Sequence, residues 1–375
     1  MSTTLRVILD DVAGPVRSGI SWYSEEITRA LVQTAPDGID VAAFAAAMSK
    51  EREAETQRLL PGLVDLEQAV LPSREMREAW LHSLTTFSLS GLVHATSLFA
   101  PLRRRGDFMT GQTVVTVHAA TPVSDRGAAK DRWFEKAIRR AWKHADGVVV
   151  PTYAVASQLS EMHDFGGRIR VIPGGVAPTI ALHDGADDRA KLLGLPERFV
   201  VLVTASSSKA TGEAVVQLLA DAAMPDVPVV VVGPVAWDDA TLSGMAVAAG
   251  LPPARYIPVG ELDDSDLAVV LSRASALVHV STNDCFGLPM LAAFTMGCPV
   301  VHVATDSLDE VADGAALGVS ADADGTLTRP LAEGIRRMLD EPELGRDLAA
   351  RASDRVRHFT WNNAAEQIWQ FHADI

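Results

Sequence analysis

Short runs of apolar residues alternate along the whole chain with longer segments in which apolar residues recur at helical spacing. The runs have the length of buried strands, and the helical segments separate them. The clearest runs are Leu5–Asp10, Thr113–His118, Gly147–Pro151, Phe199–Val203, Val227–Gly233, Ala276–Val280 and Pro299–Val303. Because strand and helix alternate in this way in parallel sheets with helices on both faces, the sequence predicts an α/β fold.

Length and composition indicate a globular protein that is large enough for two domains. A chain of 375 residues is long for one domain and sufficient for two. Hydrophobic residues make up 48% and charged residues 22%, as in globular proteins, and two cysteines cannot form a disulfide framework. The N-terminus runs directly into a predicted strand, and the apolar runs are too short to cross a bilayer. These features predict a cytoplasmic protein.

The charge is distributed unevenly. Residues 1–175 contain 20 Lys and Arg against 20 Asp and Glu, so the whole net charge of −15 lies in residues 176–375. An acidic second half argues against nonspecific binding of nucleic acid, because the phosphate backbone would be repelled. A local phosphate site remains compatible with this charge, since backbone amides and a single Lys act at short range.

Residues Ala276–Val303 form the most informative stretch of the chain. A strand-like run is followed by a polar turn, and the segment Pro289–Met296 then has the character of a helix. Pro289 stands at its predicted start and Gly297 just past its end, the arrangement that typically begins and ends a helix between two strands. Such a turn presents backbone N–H groups and a helix N-terminus at the carboxyl edge of a parallel sheet. It therefore predicts an anion site, with phosphate the expected ligand.

The same stretch resembles the Glu-x7-Glu segment of the family 4 glycosyltransferases, whose usual text is close to S-x-x-E-G-F-G-L-P-x-L-E-A-x-A-x-G-x-P-V-V. The matching residues are Ser281, Phe286, Gly287, Leu288, Pro289, Leu291, Ala293, Gly297, Pro299, Val300 and Val301. Asp284 stands at the first glutamate of the motif and Ala292 at the second. The resemblance is specific here and extends more weakly over nearly the whole chain.

The resemblance implies the GT-B architecture, in which two Rossmann-like parallel-sheet domains face a cleft. Residues 1–175 would form the acceptor-side domain and residues 176–357 the domain that binds the nucleotide sugar. Residues 358–375 would form a helix that crosses back onto the first domain. The expected activity is retaining transfer of a sugar from a nucleotide-diphosphate-sugar donor to an acceptor that the sequence does not name, with no metal and no other cofactor.

Several donor-binding residues follow from the resemblance. The backbone N–H groups of Phe286, Gly287 and Leu288 would hold the β-phosphate as negative charge builds on the leaving group. Lys209 matches the family's phosphate-binding Lys. Glu310 matches the glutamate of the family's P-E-V loop and is assigned to the nucleotide.

The remaining assignments concern the sugar and the first loop. Asp284 would bind sugar hydroxyls near the reacting carbon, and His118, at the end of a strand, would lie near the donor sugar; these two are the predicted catalytic residues. Ser18-Gly19-Ile20 resembles the family's first glycine loop, so Gly19 would approach the donor's phosphates.

The sequence also departs from the family pattern. Ala292 cannot accept the ribose hydrogen bonds of the second glutamate, Asp284 is one methylene shorter than the first, and the loop before Lys209 lacks the family's Arg. Losing a hydrogen bond that has one charged partner weakens affinity by roughly ten- to a hundred-fold. The alternative to an active enzyme is therefore a glycosyltransferase-like protein that has lost catalysis and serves as a binding module or partner subunit.

Two further features are open to more than one interpretation. The predicted helix Ala128–His144 carries the basic residues Arg132, Lys136, Arg139, Arg140 and Lys143, which indicate either weak contact with a membrane surface or an anionic acceptor, or an ordinary solvated face. Cys285 stands beside the predicted helix N-terminus, a position that lowers the pKa of a thiol. It is interpreted either as a reactive cysteine or as a small tolerated side chain.

Overall fold

A computed structural model describes residues 3–10, 12, 19–84, 91–103, 111–121, 128–204, 209–233 and 239–375. The chain divides into two compact units. Unit 1 comprises Met1–Gly175 together with Phe359–Ile375, and unit 2 comprises Val176–His358. Each unit has its own parallel sheet and its own buried apolar core.

Unit 1 is built on a sheet of seven strands. They are β1 (Thr3–Ile8), β2 (Ile39–Ala45), β3 (Leu66–Gln68), β4 (Gly91–Ala95), β5 (Gly111–Thr116), β6 (Gly147–Val150) and β7 (Ile169–Val171). Their order across the sheet is β3-β2-β1-β4-β5-β6-β7, and every pairing is parallel. Val148, Val149 and Val150 of β6 are fully buried, because helices cover both faces of the sheet.

Five helices connect these strands within the described residues of unit 1. They are α1 (Gly19–Gln33), α2 (Lys50–Leu59), α3 (Ser73–Leu81), α4 (Ala128–His144) and α5 (Tyr153–Met162). Their starts follow local chemistry where a cap is seen. The hydroxyl of Thr152, for example, accepts a hydrogen bond from the N–H of Val155 and so begins α5.

Unit 2 repeats the alternation with a sheet of six strands. Its strands are β8 (Val200–Val203), β9 (Val229–Val232), β10 (Tyr256–Gly260), β11 (Leu277–His279), β12 (Val300–Val303) and β13 (Leu317–Val319). Its helices are α6 (Ala186–Leu192), α7 (Lys209–Ala220), α8 (Asp239–Ala248), α9 (Asp264–Arg273), α10 (Leu288–Thr295), α11 (Asp306–Ala312), α12 (Thr328–Asp340) and α13 (Pro342–Arg355). The strand order is β10-β9-β8-β11-β12-β13, again wholly parallel.

The last helix, α14 (Trp361–Asp374), belongs to unit 1 rather than to the unit that precedes it in the chain. Trp361, Ile368 and Phe371 share the apolar core of α1 and the sheet. The hydroxyl of Thr360 caps the helix by accepting a hydrogen bond from the N–H of Asn363. Residues distant in sequence thus complete the first core.

Each sheet has one point where the direction of strand order reverses. In unit 1 it lies between β1 and β4, and in unit 2 between β8 and β11. In open parallel sheets, ligands bind outside the carboxyl ends of the strands at such a point. The segments that follow β8 and β11 contain Lys209 and Asp284, and the segment that follows β4 lies beside the one that carries His118 after β5.

Candidate active site

The turn between β11 and α10 is held by the side chain of Asp284. Its Oδ1 accepts hydrogen bonds from the backbone N–H of Phe286, at 2.9 Å, and from that of Gly287, at 2.7 Å. An Asp side chain is short enough to bond the backbone two and three residues further on, which is the usual geometry of a polar turn before a helix. The carboxylate therefore lies at the N-terminal end of α10, where the helix dipole also favours a negative charge.

Gly287 gives this turn its shape. It adopts the left-handed conformation, with φ 68° and ψ 43°, immediately before the helix begins at Leu288. A Cβ at this position would lie 3.0 Å from Cδ2 of Leu308 and 3.0 Å from Cε of Met290. The left-handed backbone conformation favours glycine here, and a side chain would also press on Leu308 and Met290. Pro289 follows in the first turn of the helix, where its missing N–H costs nothing.

His279 lies on the other side of the Asp284 carboxylate. It ends β11, its side chain is only 4% exposed, and its Nε2 lies 3.0 Å from Oδ2 of Asp284. The ring and the carboxylate are in contact without the alignment of a hydrogen bond, and neither ring nitrogen has an aligned partner within the described part of the chain. Burial raises the pKa of Asp284, but His279 and the N–H groups of Gly287 and Phe286 outweigh burial and bring that pKa below its ordinary value.

The contacts of Asp284 bear on two predicted roles. The sequence assigns the N–H groups of Phe286 and Gly287 to a phosphate, and the Asp284 carboxylate to sugar hydroxyls. In the structure these groups are bonded to each other. An N–H group donates to one strong acceptor at a time, so the two roles require an arrangement of the turn other than the one observed here.

The other predicted residues of unit 2 lie around the same edge of its sheet. Leu288 is the first residue of α10, and Lys209 is the first residue of α7, with its side chain outside the described part of the structure. Glu310 is half-buried in α11, and its carbonyl oxygen accepts a hydrogen bond from Arg355 at 2.9 Å. Ala292, at the second glutamate position of the motif, is 2% exposed.

The expectation that a helix N-terminus lowers the pKa of the Cys285 thiol was wrong. Burial and the neighbouring charge of Asp284 raise that pKa to about 11. The thiol points instead to the carbonyl oxygen of Asn283, at 3.7 Å. A carboxylate already occupies the positive end of the helix, so the thiolate gains nothing from it, and Cys285 is a small side chain in a narrow turn.

In unit 1, polar residues gather at the carboxyl ends of β1 and β4. Asp10, which follows β1, is 3% exposed and pairs with Arg77 of α3 and with the hydroxyl of Ser97. The neighbouring Thr96 bonds both to the carbonyl oxygen of Ile8 and to Ser24 of α1. No sequence pattern marks this cluster, because its members are far apart in the chain and only the order of the strands brings them together.

His118 lies beside this cluster. Its Nε2 lies 2.8 Å from the carbonyl oxygen of Thr96, and its ring packs edge-on against Tyr23 with the ring centres 4.6 Å apart. Burial lowers the pKa of His118 more than Thr96 and Asp10 raise it, so the ring is neutral at pH 7. A carbonyl oxygen only accepts, so the proton is on Nε2, and Nδ1 carries a lone pair that no described residue uses.

Gly19 is the first residue of α1 and is exposed. A Cβ there would meet nothing within 4 Å, and its φ is not in the left-handed range, so the backbone itself does not demand glycine at this position. The loop before it, residues 13–18, lies outside the described part of the chain.

The basic helix α4 exposes Arg132, Lys136, Arg139 and Lys143. Arg140 instead turns toward the protein and donates to the hydroxyl of Ser83, at 2.7 Å, and to the carbonyl oxygen of Leu102. The contact of this face with a membrane or an anionic acceptor stays a prediction.

Known proteins match both halves of the chain. A profile of Glycosyltransferase Family 4 matches residues 17–179, and a profile of glycosyl transferase-like proteins matches residues 212–370. The chain belongs to glycosyltransferase family 4. This membership agrees with the motif in residues 276–303, where the resemblance to the family is most specific.

Two curated relatives of this family 4 member match parts of it. A D-inositol 3-phosphate glycosyltransferase from a Nocardioides species is 28% identical, with 60% of this chain and 52% of that protein covered. The O-antigen chain mannosyltransferase B of Escherichia coli is 29% identical, with 37% of this chain and 35% of that protein covered. The match thus spans about half the length of the first relative and about a third of the second.

Solved structures show that the fold is GT-B. Sucrose-phosphate synthase from Thermosynechococcus elongatus aligns with a TM-score of 0.73 at 20% identity, covering 99% of this chain and 98% of that chain. HepE from Anabaena, in complex with UDP and glucose, aligns with a TM-score of 0.70 at 15% identity over the full length of both chains. At these identities the similarity establishes the architecture of the family 4 member and no more.

The described residues contain neither a membrane-spanning helix nor a cluster of metal ligands. No helix among them is both long and apolar enough to span a bilayer. No three His, Cys, Asp or Glu side chains among them lie close enough together to bind a metal ion.

Proposed function

We propose that the protein is a retaining glycosyltransferase that transfers a sugar from a nucleotide-diphosphate-sugar to an acceptor. The observation that carries the proposal is the turn before α10. It places backbone N–H groups and a helix N-terminus at the strand-order reversal of the second sheet, where a diphosphate would bind. Family membership and the UDP-glucose bound by HepE, a structural neighbour, support a nucleotide sugar as the donor.

The residues would act mainly through electrostatics. The N–H groups of the turn and the start of α10 stabilise the negative charge that develops on the leaving diphosphate. Lys209, at the start of α7, adds a positive charge on the same edge of the sheet. His118 would accept a hydrogen bond from a substrate hydroxyl through the lone pair on Nδ1. In this arrangement the protein's own groups supply the charge stabilisation, so we propose that the reaction needs no metal.

A glycosyltransferase-like protein that has lost catalysis, and that serves as a binding module or partner subunit, is the second candidate. The position of Asp284 favours it, because the carboxylate occupies two of the N–H groups that the leaving phosphate would need. Ala292 adds to this, since it offers no oxygen to the ribose hydroxyls.

The proposal is tested by titrating UDP, GDP and TDP and their glucose conjugates into the protein by calorimetry, and then assaying transfer and hydrolysis with whichever donor binds. We expect micromolar binding of one nucleotide family and a loss of roughly ten- to a hundred-fold for Lys209→Ala, because a charged contact to phosphate is removed. Lys191→Ala, on the exposed helix α6, is the matched control for removing a positive charge. Binding without turnover, or no binding of any of these nucleotides and sugar conjugates by the folded protein, would support the second candidate and contradict the first.

Metal independence is tested in the same assay. Because the turn and Lys209 are proposed to stabilise the leaving group, we expect dialysis against EDTA to leave the transfer rate unchanged within about twofold. A loss that added Mg²⁺ or Mn²⁺ restores would show that a metal performs this role.

A further inference from the structure

The turn before α10 already holds an anion of its own. The Asp284 carboxylate accepts from the N–H of Phe286 and from that of Gly287 with one oxygen, and its other oxygen lies 3.0 Å from Nε2 of His279. Only 24% of the Asp284 side chain is exposed. The carboxylate therefore occupies the position at the start of α10 that a bound phosphate would take, and it uses the same N–H groups.

Two anions cannot share this position. The two N–H groups are single donors and are both directed at Oδ1, at 2.9 and 2.7 Å. A phosphate placed against them would also lie within a few ångströms of the carboxylate, in a half-buried site where like charges repel strongly. A phosphate can reach these groups only if the carboxylate leaves them.

His279 lies against the other oxygen of the carboxylate. It lies at the end of β11, nearly fully buried, and neither of its ring nitrogens has an aligned hydrogen-bond partner in the described part of the chain. Such an unpartnered buried ring is costly unless it serves a neighbour. Its neighbour on β12 is His302, whose Nδ1 lies 3.1 Å from the carbonyl oxygen of Val303 and whose Nε2 lies 3.8 Å from Oδ1 of Asp309. Among the described residues, the carboxylate in contact with His279 is that of Asp284.

We propose that His279 and Asp284 form a latch that holds the turn closed in the unliganded protein, so that phosphate binds only in exchange for the Asp284 carboxylate. His279 acts as a positioning residue, through Asp284. The inference rests on the proposed function for the identity of the phosphate, which would be the diphosphate of a nucleotide sugar. Once released from the turn, the carboxylate becomes available to the sugar hydroxyls that the family's first glutamate is expected to bind.

The latch is tested with inorganic pyrophosphate, titrated by calorimetry into the full-length protein. A hydrogen bond to a charged group corresponds to roughly ten- to a hundred-fold in an equilibrium constant. We therefore expect Asp284→Ala to bind pyrophosphate at least about tenfold more tightly than the wild type. Asp284→Asn, which keeps an acceptor but loses the charge, should lie between the two.

Two further variants separate the latch from simpler effects. Asp309→Ala removes a carboxylate from the same edge of the sheet without touching the turn, and should change the affinity by no more than about twofold. His279→Leu alone should bind pyrophosphate more tightly than the wild type. Combined with Asp284→Ala, it should give no gain beyond that of Asp284→Ala. If His279→Leu weakens binding in both backgrounds, the ring contacts the phosphate directly and the latch is overturned.

Amide hydrogen exchange, which needs no ligand, tests the latch even in variants that bind pyrophosphate poorly. The amide protons of Phe286 and Gly287 should exchange with solvent about tenfold faster in Asp284→Ala than in the wild type, because they lose their acceptor. Unchanged exchange and unchanged pyrophosphate affinity would together overturn the latch.

The experiments distinguish a failure of the latch from a failure of the proposed function. A gain in pyrophosphate affinity for Asp284→Ala, in a protein that binds no nucleotide sugar, would support the latch and contradict the proposed donor. Sugar transfer by a protein in which Asp284→Ala gains no affinity would support the proposed function and overturn the latch alone.

Discussion

At the scale of single residues, two glycines around α10 have the same backbone conformation but differ in how much room they leave for a side chain. Gly287 and Gly297 have the same left-handed φ of 68°. A Cβ on Gly287 would press against Leu308 and Met290, whereas one on Gly297 would meet nothing within 4 Å. A family motif records both positions only as glycine, and the structure shows that they are glycine for partly different reasons.

We expect Gly297→Ala to lower the free energy of unfolding by about 1 kcal/mol, the cost of a left-handed non-glycine residue. Gly287→Ala should cost about 1–3 kcal/mol more, because Leu308 and Met290 must also move. Gly19→Ala, with neither constraint, is the control and should not destabilise the protein. Differential scanning calorimetry measures all three, and equal effects at positions 287 and 297 would show that the crowding is relieved at no cost.

At the scale of elements, the packing of α14 against the rest of unit 1 depends on Gly175. The sequence places this residue in Ile172-Pro173-Gly174-Gly175-Val176, which resembles the family's segment between domains. In the structure, a Cβ on Gly175 would lie 2.5 Å from the backbone nitrogen of Trp361 and 2.8 Å from the carbonyl carbon of Thr360. The start of α14 can approach unit 1 this closely only because the residue opposite has no side chain.

Gly175→Ala is therefore expected to destabilise unit 1 by about 1–3 kcal/mol, because the backbone at the start of α14 has to shift. Tryptophan fluorescence reports on this unit, since six of the seven tryptophans lie in it and only Trp237 lies in unit 2. Gly244→Ala in α8, where nothing lies within 4 Å, is the control and should leave the fluorescence transition unchanged. A normal transition for Gly175→Ala would mean that α14 adjusts freely.

At the scale of the whole molecule, a buried histidine pair joins the C-terminal helix to the sheet of unit 1. Nδ1 of His372 lies 2.7 Å from Oε1 of Gln112, and its Nε2 lies 3.4 Å from Nδ1 of His94. Burial lowers the pKa of His372 to about 4, and burial together with His372 lowers the pKa of His94 well below its ordinary value. Both rings are therefore neutral in the folded protein at pH 7.

Because these pKa values are lowered by folding, the unfolded chain takes up protons first as the pH falls. The contribution of the neutral rings to the free energy of unfolding is then fully present above about pH 6.5. It is lost progressively as the pH falls toward 4, and His372 alone accounts for about 3 kcal/mol of this loss. We expect the free energy of unfolding, followed by tryptophan fluorescence, to fall less over this range in His372→Gln. A parallel pH dependence in the two proteins would show that His372 is protonated without cost.

The fold was largely predictable from the sequence, because strand and helix patterns are local and each apolar run was long enough to identify. The GT-B architecture and the family were confirmed. The turn before α10 was equally visible, since Pro289 and Gly297 mark its helix within a few residues. The predicted roles of His118, Lys209 and Glu310 stay predictions, although each of these residues is found at or near the carboxyl edge of its sheet.

The sequence by itself determined the elements, the glycine turn and the family, because these depend on neighbours in the chain. Only the tertiary structure decided what the polar groups of the site do to one another. Asp284 could have faced a ligand, but its short side chain bonds to the backbone N–H groups two and three residues further along its own turn. His279 looked like one more residue of a buried strand, and the cluster around Asp10, Thr96 and His118 was invisible, because its members meet only where parallel strands end side by side.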